Sequence, residues 1–184
     1  MVKPALQGTK GVLKACTEAG TVKRLVITSS VAAIGYPLQK DYPADSTFDE
    51  SWWTNLEAEG LHPYRKAKTL AEKAAWDYQA QLSDDKKFEI VAICPSFIMG
   101  PSVASGDALS EGFAKGIVTG TTQSLTKKAM GFVDVRDCAL AHLNGVKVEE
   151  AKNKRFLLSG ESLWFREAAQ IIADEYGPKG YPVT

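Results

Sequence analysis

The chain has 184 residues, 45% of them hydrophobic, enough for one domain with a substantial core and no reason from length to expect two. Its 22 basic and 22 acidic residues balance without any single-sign run, so neither nucleic acid nor an anionic membrane surface is an expected partner. Cys16, Cys94 and Cys138 stand singly in apolar surroundings without metal-ligand spacing, no apolar run reaches the ~18 residues of a membrane span, and no signal-peptide pattern opens the chain, so the sequence reads as soluble and cytoplasmic.

Residues 4–19 carry a helical pattern, with Pro4 in the first turn, Leu6, Val12, Leu13 and Cys16 at mixed three and four spacing, and Gly20 as the stop. Gly8 and Gly11 within it imitate half of a dinucleotide-binding fingerprint, but no strand precedes them and Lys14 takes the third glycine's place. Close packing of the helix on a sheet explains them better. Lys23 to Ser29 is an apolar run, Leu25, Val26 and Ile27, that ends in hydroxyls, as expected of a strand covered on both faces in a parallel sheet. Ligands meet open α/β sheets at such carboxyl ends, although Ser29 and Ser30 also suit ordinary strand-end turn chemistry. Residues 36–61, with Trp52 and Trp53 embedded, form a long connection of the kind that is usually functional in a compact domain.

In the stretch HPYRKAKTLAEKAAW, Tyr64 and Lys68 stand four apart in a helix predicted to run to about Leu82, which puts both on one face. A phenol, with a reference pKa of about 10, is a poor acid near neutrality, and a nearby ammonium favours the phenolate. The pair therefore suits proton exchange with a carbonyl oxygen, although the same spacing occurs by chance in many surface helices. Phe88 to Cys94 reads as the next buried strand, ended by Pro95; 107–118 as a weaker helix; and 119–129 as a polar loop. GFVDVRD leads into a helix from about Val135 to Val148, Phe156 to Leu158 is a third short strand, and Leu163 to Tyr176 is a final amphipathic helix with Ser162 at its N-cap. Strands alternating with helices predict βαβ units and a parallel sheet.

Taken in order, KPALQGTKGVLKAC, RLVITSSVAA, FDESWW, PYRKAKTLAEKAAW, ICPSFIMGP and GFVDVRDCALAH resemble the extended short-chain dehydrogenase/reductase family, and within it the dihydroflavonol reductase and cinnamoyl-CoA reductase branch. The resemblance spans nearly the whole chain. It implies an α/β fold, a partial Rossmann-type doubly wound parallel sheet in which 1–184 form a single partial NAD(P)-binding domain, with substrate-region elements around 99–131 and 159–184. It also implies an NAD(P)-dependent oxidoreductase that moves a hydride between nicotinamide and a small-molecule carbonyl or secondary alcohol, with NADP as the expected form.

By the same resemblance, Tyr64 is the general acid/base, and Lys68 lowers the tyrosine's pKa and bonds the nicotinamide ribose. Ser30 holds the substrate oxygen, with Ser29 the other claimant. Pro95, Ser96, Phe97 and Ile98 line the nicotinamide ring, and Ser110 is a further cofactor contact. Ala67 stands where many relatives have Ser, and Ala5 where many members carry an active-site Asn. The family's first βαβαβ half, with its glycine-rich turn, has no counterpart, so roughly 70–80 residues of that kind are expected ahead of Met1. The expectation is a fragment that is inactive alone. The alternatives are a truncated, non-catalytic isoform or paralogue that binds a partner or senses a nucleotide, and a nucleotide-sugar epimerase or dehydratase, which shares the Tyr and Lys.

Overall fold

A computed structural model describes residues 1–35, 47–103 and 109–183. In chain order the elements are α1 (Val2–Ala19), β1 (Arg24–Thr28), α2 (Val31–Ile34), α3 (Pro63–Ala80), β2 (Glu89–Pro95), β3 (Phe97–Met99), α4 (Leu109–Val118), β4 (Ala129–Asp134), α5 (Val135–Lys147), β5 (Lys154–Leu158), β6 (Ser162–Trp164) and α6 (Phe165–Tyr176). They fall into two compact units, Met1–Pro95 with Leu140–Leu158 and Ser96–Ala139 with Ser159–Thr184, so the boundary passes through α5.

The first unit holds a parallel sheet in the order β1-β2-β5, with Val26 opposite Val91 and Ile93 opposite Phe156. Parallel neighbours need a crossover, and α3 supplies the one from β1 to β2. Side chains of β2 alternate in direction. Ile90, Ala92 and Cys94 pack among residues of α1, α2 and α3, including Leu13, Ile34, Ala75 and Trp76, whereas Val91 and Ile93 pack with Ala141, Ala151, Phe156 and Leu158. Helices α1 and α3 thus cover one face and the Leu140–Lys147 part of α5 the other. Gly145 permits that approach, because a Cβ there would lie only 3.2 Å from Val91 Cγ1 and 3.4 Å from Val26 Cγ1. Arg24 closes the end of the same helix: Nη1 donates to the carbonyls of Gly145, Val146 and Val148 at 3.3, 3.1 and 2.6 Å, while Nε pairs with Glu89 at 2.6 Å. Helix α1 ends as expected at Gly20, which adopts φ 64°.

The second unit is built on a smaller sheet in the order β3-β4-β6, parallel between β3 and β4 and antiparallel between β4 and β6. Its centre is aromatic. Phe97, Phe113, Phe132 and Phe165 meet edge to face, with centroids 5.2–6.2 Å apart. Asp134 Oδ1 accepts from the Arg136 N–H at 2.8 Å and Oδ2 pairs with the guanidinium, which holds the carboxyl down at about 2.

Two readings of the sequence need correction here. Ser162 is not a helix cap; it lies in β6 opposite Gly131, and α6 begins at Phe165 with Trp164 at the N-cap, whose N–H donates to Glu167 Oε2 at 2.8 Å. Pro95 does not end β2 from outside but is its last residue, opposite Leu158, a strand-end position where a missing N–H is tolerated. Residues 36–46 of the predicted long connection, and 104–108 about the start of α4, lie outside the described residues.

Candidate active site

Strand β1 runs out at Thr28, and the two serines that follow are buried, Ser29 at 6% and Ser30 at 7% exposure. Ser29 extends the ladder, its N–H donating to Ile93 O at 2.7 Å, and its hydroxyl donates to the Glu72 carboxylate. Ser30 is extended, and its Oγ accepts from Ala32 N–H at 3.1 Å, capping α2. A hydroxyl has one proton and two lone pairs, so Ser30 keeps its proton to donate elsewhere, whereas Ser29 has committed its own.

Helix α3 begins at Pro63, pre-set for the first turn, and His62 caps it by accepting the Tyr64 N–H on Nδ1 at 3.2 Å. Tyr64, Lys68 and Glu72 then recur every four residues along one stripe. Tyr64 is 42% exposed. Lys68 Nζ donates to Thr28 O at 3.2 Å and Ser29 O at 3.4 Å. Tyr64, Lys68, Thr28 and Ser29 share the wall of a cavity of about 260 Å³, to which α1 contributes Ala5 and Thr9. Ser30, one residue further on, is not on that wall.

Beneath the site lies a charge pair that pattern reading missed. The Glu72 side chain is wholly buried, and Arg155 meets it from β5 with Nε at 2.6 Å and Nη2 at 3.2 Å. Ser29, Trp76 Nε1 at 3.1 Å and Cys94 Sγ at 3.8 Å complete the carboxylate's shell. Arg155 Nη1 also donates to the carbonyls of Glu50 and Trp52, each at 2.6 Å, and the guanidinium stacks 3.7 Å from the Trp53 ring centre. A buried pair this well satisfied is tolerated, but removing one partner strands the other charge, a loss on the order of 3–5 kcal/mol. The signal was present in the sequence: a lone acid four residues beyond Lys68, between Ala71 and Ala75 on a face otherwise made of small residues. Burial, and next the Glu72 charge, push the Cys94 thiol from 9.0 up to about 12, so it holds its proton and is no nucleophile.

The remaining predicted contacts are spread over both units. Pro95 is buried at the end of β2 in the first. Ser96, Phe97, Ile98 and Ser110 belong to the second, where the Phe97 ring is taken up by the aromatic cluster, Ile98 pairs with Val133, and Ser110 sits half-buried in the first turn of α4. The Ser96 hydroxyl is buried without a hydrogen-bond partner among the described residues. Among the described residues no group of three or more His, Cys, Asp or Glu side chains converges, and no helix is long and apolar enough to cross a membrane.

Comparison with known proteins gives a consistent picture. The model of the 3-beta hydroxysteroid dehydrogenase/isomerase family matches residues 1–167. The NADPH-dependent methylglyoxal reductase of Saccharomyces cerevisiae is 28% identical over 186 residues, covering 94% of this chain and 54% of that protein. Tetraketide alpha-pyrone reductase 1 of Arabidopsis thaliana is 30% identical over 179 residues, covering 96% and 53% respectively. Among solved structures, the yeast methylglyoxal/isovaleraldehyde reductase complexed with NADPH is similar with a TM-score of 0.84 at 27% identity, over 96% of this chain and 55% of that one. Vestitone reductase from alfalfa, Medicago sativa, reaches a TM-score of 0.78 at 27% identity, over 99% and 57%. The chain spans about half the length of the curated relatives it matches.

Proposed function

The chain belongs to the 3-beta hydroxysteroid dehydrogenase/isomerase family, within the extended short-chain dehydrogenase/reductases, and from that membership we propose that it carries the proton-transfer site of an NADPH-dependent carbonyl reductase. One observation carries the reading: Tyr64 and Lys68 share a cavity wall with the end of β1, and the lysine is tethered to that strand by two carbonyls. NADPH, when bound, supplies the hydride. Tyr64 passes its phenolic proton to the substrate oxygen as the carbonyl is reduced, and is then reprotonated from water. Ser30 is the proposed hydrogen-bond donor to the same oxygen: its hydroxyl proton is uncommitted, although the cavity wall shared by Tyr64 and Lys68 stops at Ser29. An ammonium has three donors; two of those of Lys68 go to Thr28 and Ser29, leaving one for a ribose hydroxyl.

Within the second unit, the unpartnered buried hydroxyl of Ser96 suits a polar ligand atom. Pro95, Ser96, Phe97, Ile98 and Ser110 are the further proposed cofactor contacts, and the second unit is the proposed substrate region. NADPH is favoured over NADH, and reduction over epimerisation, because relatives bear the names of reductases and NADPH-dependent enzymes. Methylglyoxal and isovaleraldehyde, the substrates in the names of the yeast relative, are the first to try.

The test is a chimera in which the part of the yeast methylglyoxal reductase that precedes the region matched by this chain is joined ahead of Met1. It is expected to oxidise NADPH in the presence of methylglyoxal. Tyr64→Phe should lower kcat by a factor on the order of 10² to 10⁴, the usual contribution of a general acid, with NADPH affinity retained. Undiminished turnover in the Tyr64→Phe chimera would remove the assignment.

A further inference from the structure

We propose that Glu72 and Arg155 are positioning residues of this site, with Ser29 as the link through which they act; the proposal rests on the Ser30, Tyr64 and Lys68 reading above. Arg155, on β5, grips the 50–53 segment through the carbonyls of Glu50 and Trp52 and the face of Trp53, and engages Glu72 with two nitrogens. Glu72, on α3, accepts the hydroxyl of Ser29 with one of the two oxygens that Arg155 holds. Ser29 in turn offers its carbonyl to Lys68, one helical turn before Glu72, and stands beside Ser30. The loop is closed: α3 holds the strand end through Glu72, and the strand end holds Lys68 back against α3.

A carboxylate wholly removed from water and bonded to Ser29, Trp76 and Arg155 cannot drift, because each displacement exposes a charge to an apolar interior. This gives Ser29 its role. Its hydroxyl fixes the carbonyl that tethers the ammonium, while its neighbour Ser30 retains a proton for chemistry.

Glu72→Gln strands a buried guanidinium and is liable to misfold, so Ser29→Ala, which deletes only the linking hydroxyl, is the primary variant, and Ser29→Thr the conservative rescue. The readout, in the chimera described above, is nitrogen-15 NMR of the Lys68 ammonium together with the urea midpoint. Ser29→Ala should speed exchange of the Lys68 ammonium protons by about tenfold, as for a donor released to water, and Ser29→Thr should restore the slow exchange. A merely structural hydroxyl would lower the midpoint and leave the ammonium signal untouched. That outcome, or failure of Ser29→Thr to rescue, overturns the proposal. Undiminished reduction in the Tyr64→Phe chimera would overturn it differently, by removing the site it serves, and is read independently of the lysine signal.

Discussion

Ser29 gives its hydroxyl proton to Glu72, whereas Ser30 spends only a lone pair, on the Ala32 N–H, and keeps its proton. The two residues are adjacent, yet only one is chemically free to polarise a carbonyl. In the chimera, Ser30→Ala should therefore reduce kcat further than Ser29→Ala, whose effect travels through Lys68 rather than through the substrate oxygen. Steady-state kinetics with denaturation controls decide it, because losing the Ser30 cap also costs about 1 kcal/mol. Equal losses of kcat in two folded variants would leave no reason to prefer Ser30. At this scale the four-residue spacing of Tyr64 and Lys68 was legible in the sequence, and both residues line one cavity. The lone acid Glu72 was visible beyond Lys68, but its partner Arg155 was hidden, since 83 residues separate them and pairing between a helix and a distant strand leaves no local pattern.

Strand β2 is the element on which the first unit's energetics turn, because from Ile90 to Pro95 every residue is buried. Its alkaline behaviour follows from Cys94. The folded chain keeps that thiol protonated up to about 12, while an ordinary thiol ionises from 9.0, so the unfolded state binds fewer protons between those values. The associated stability is fully present below about 9 and is lost as pH rises towards 12, with a limiting slope of about 1.4 kcal/mol per pH unit. Urea midpoints at about pH 8 and about pH 10.5, on either side of the onset of the loss, should converge in Cys94→Ala relative to the parent chain. An identical decline in both proteins would show that the thiol is not responsible. Strands of this kind are legible from sequence because burial on both faces demands unbroken apolar runs. The second sheet was not. Strands β3 and β6 have three residues each, too few to show a period, and the apolar residue Leu163 that suggested a helix serves β6 instead.

For the molecule taken whole, the two units each close their own core, but apolar surface is left over. Among the described residues β1 pairs only with β2, its Leu25, Val26 and Ile27 are half-buried, and Leu140, Leu143 and Val146 on α5 are 53%, 46% and 58% exposed. An unpaired apolar edge is a template for another strand. The 184-residue chain by itself should therefore elute from a sizing column as oligomer or aggregate. It should also show no saturable NADPH binding in the micromolar range, because most dinucleotide affinity in such folds comes from a glycine-rich turn and its helix N-terminus. A monodisperse monomer that binds NADPH at micromolar levels would mean that these residues build a complete cofactor site unaided.

The stacking of Arg155 on Trp53 has a spectroscopic consequence. Trp53 lies 3.7 Å beneath the guanidinium of the buried pair, with the Lys73 ammonium 5.2 Å from the same ring, and Trp76 donates its indole N–H to the Glu72 carboxylate. The rings of two of the chain's four tryptophans thus touch this one ion pair. The protein thus carries two indole fluorophores placed to report the opening of the pair.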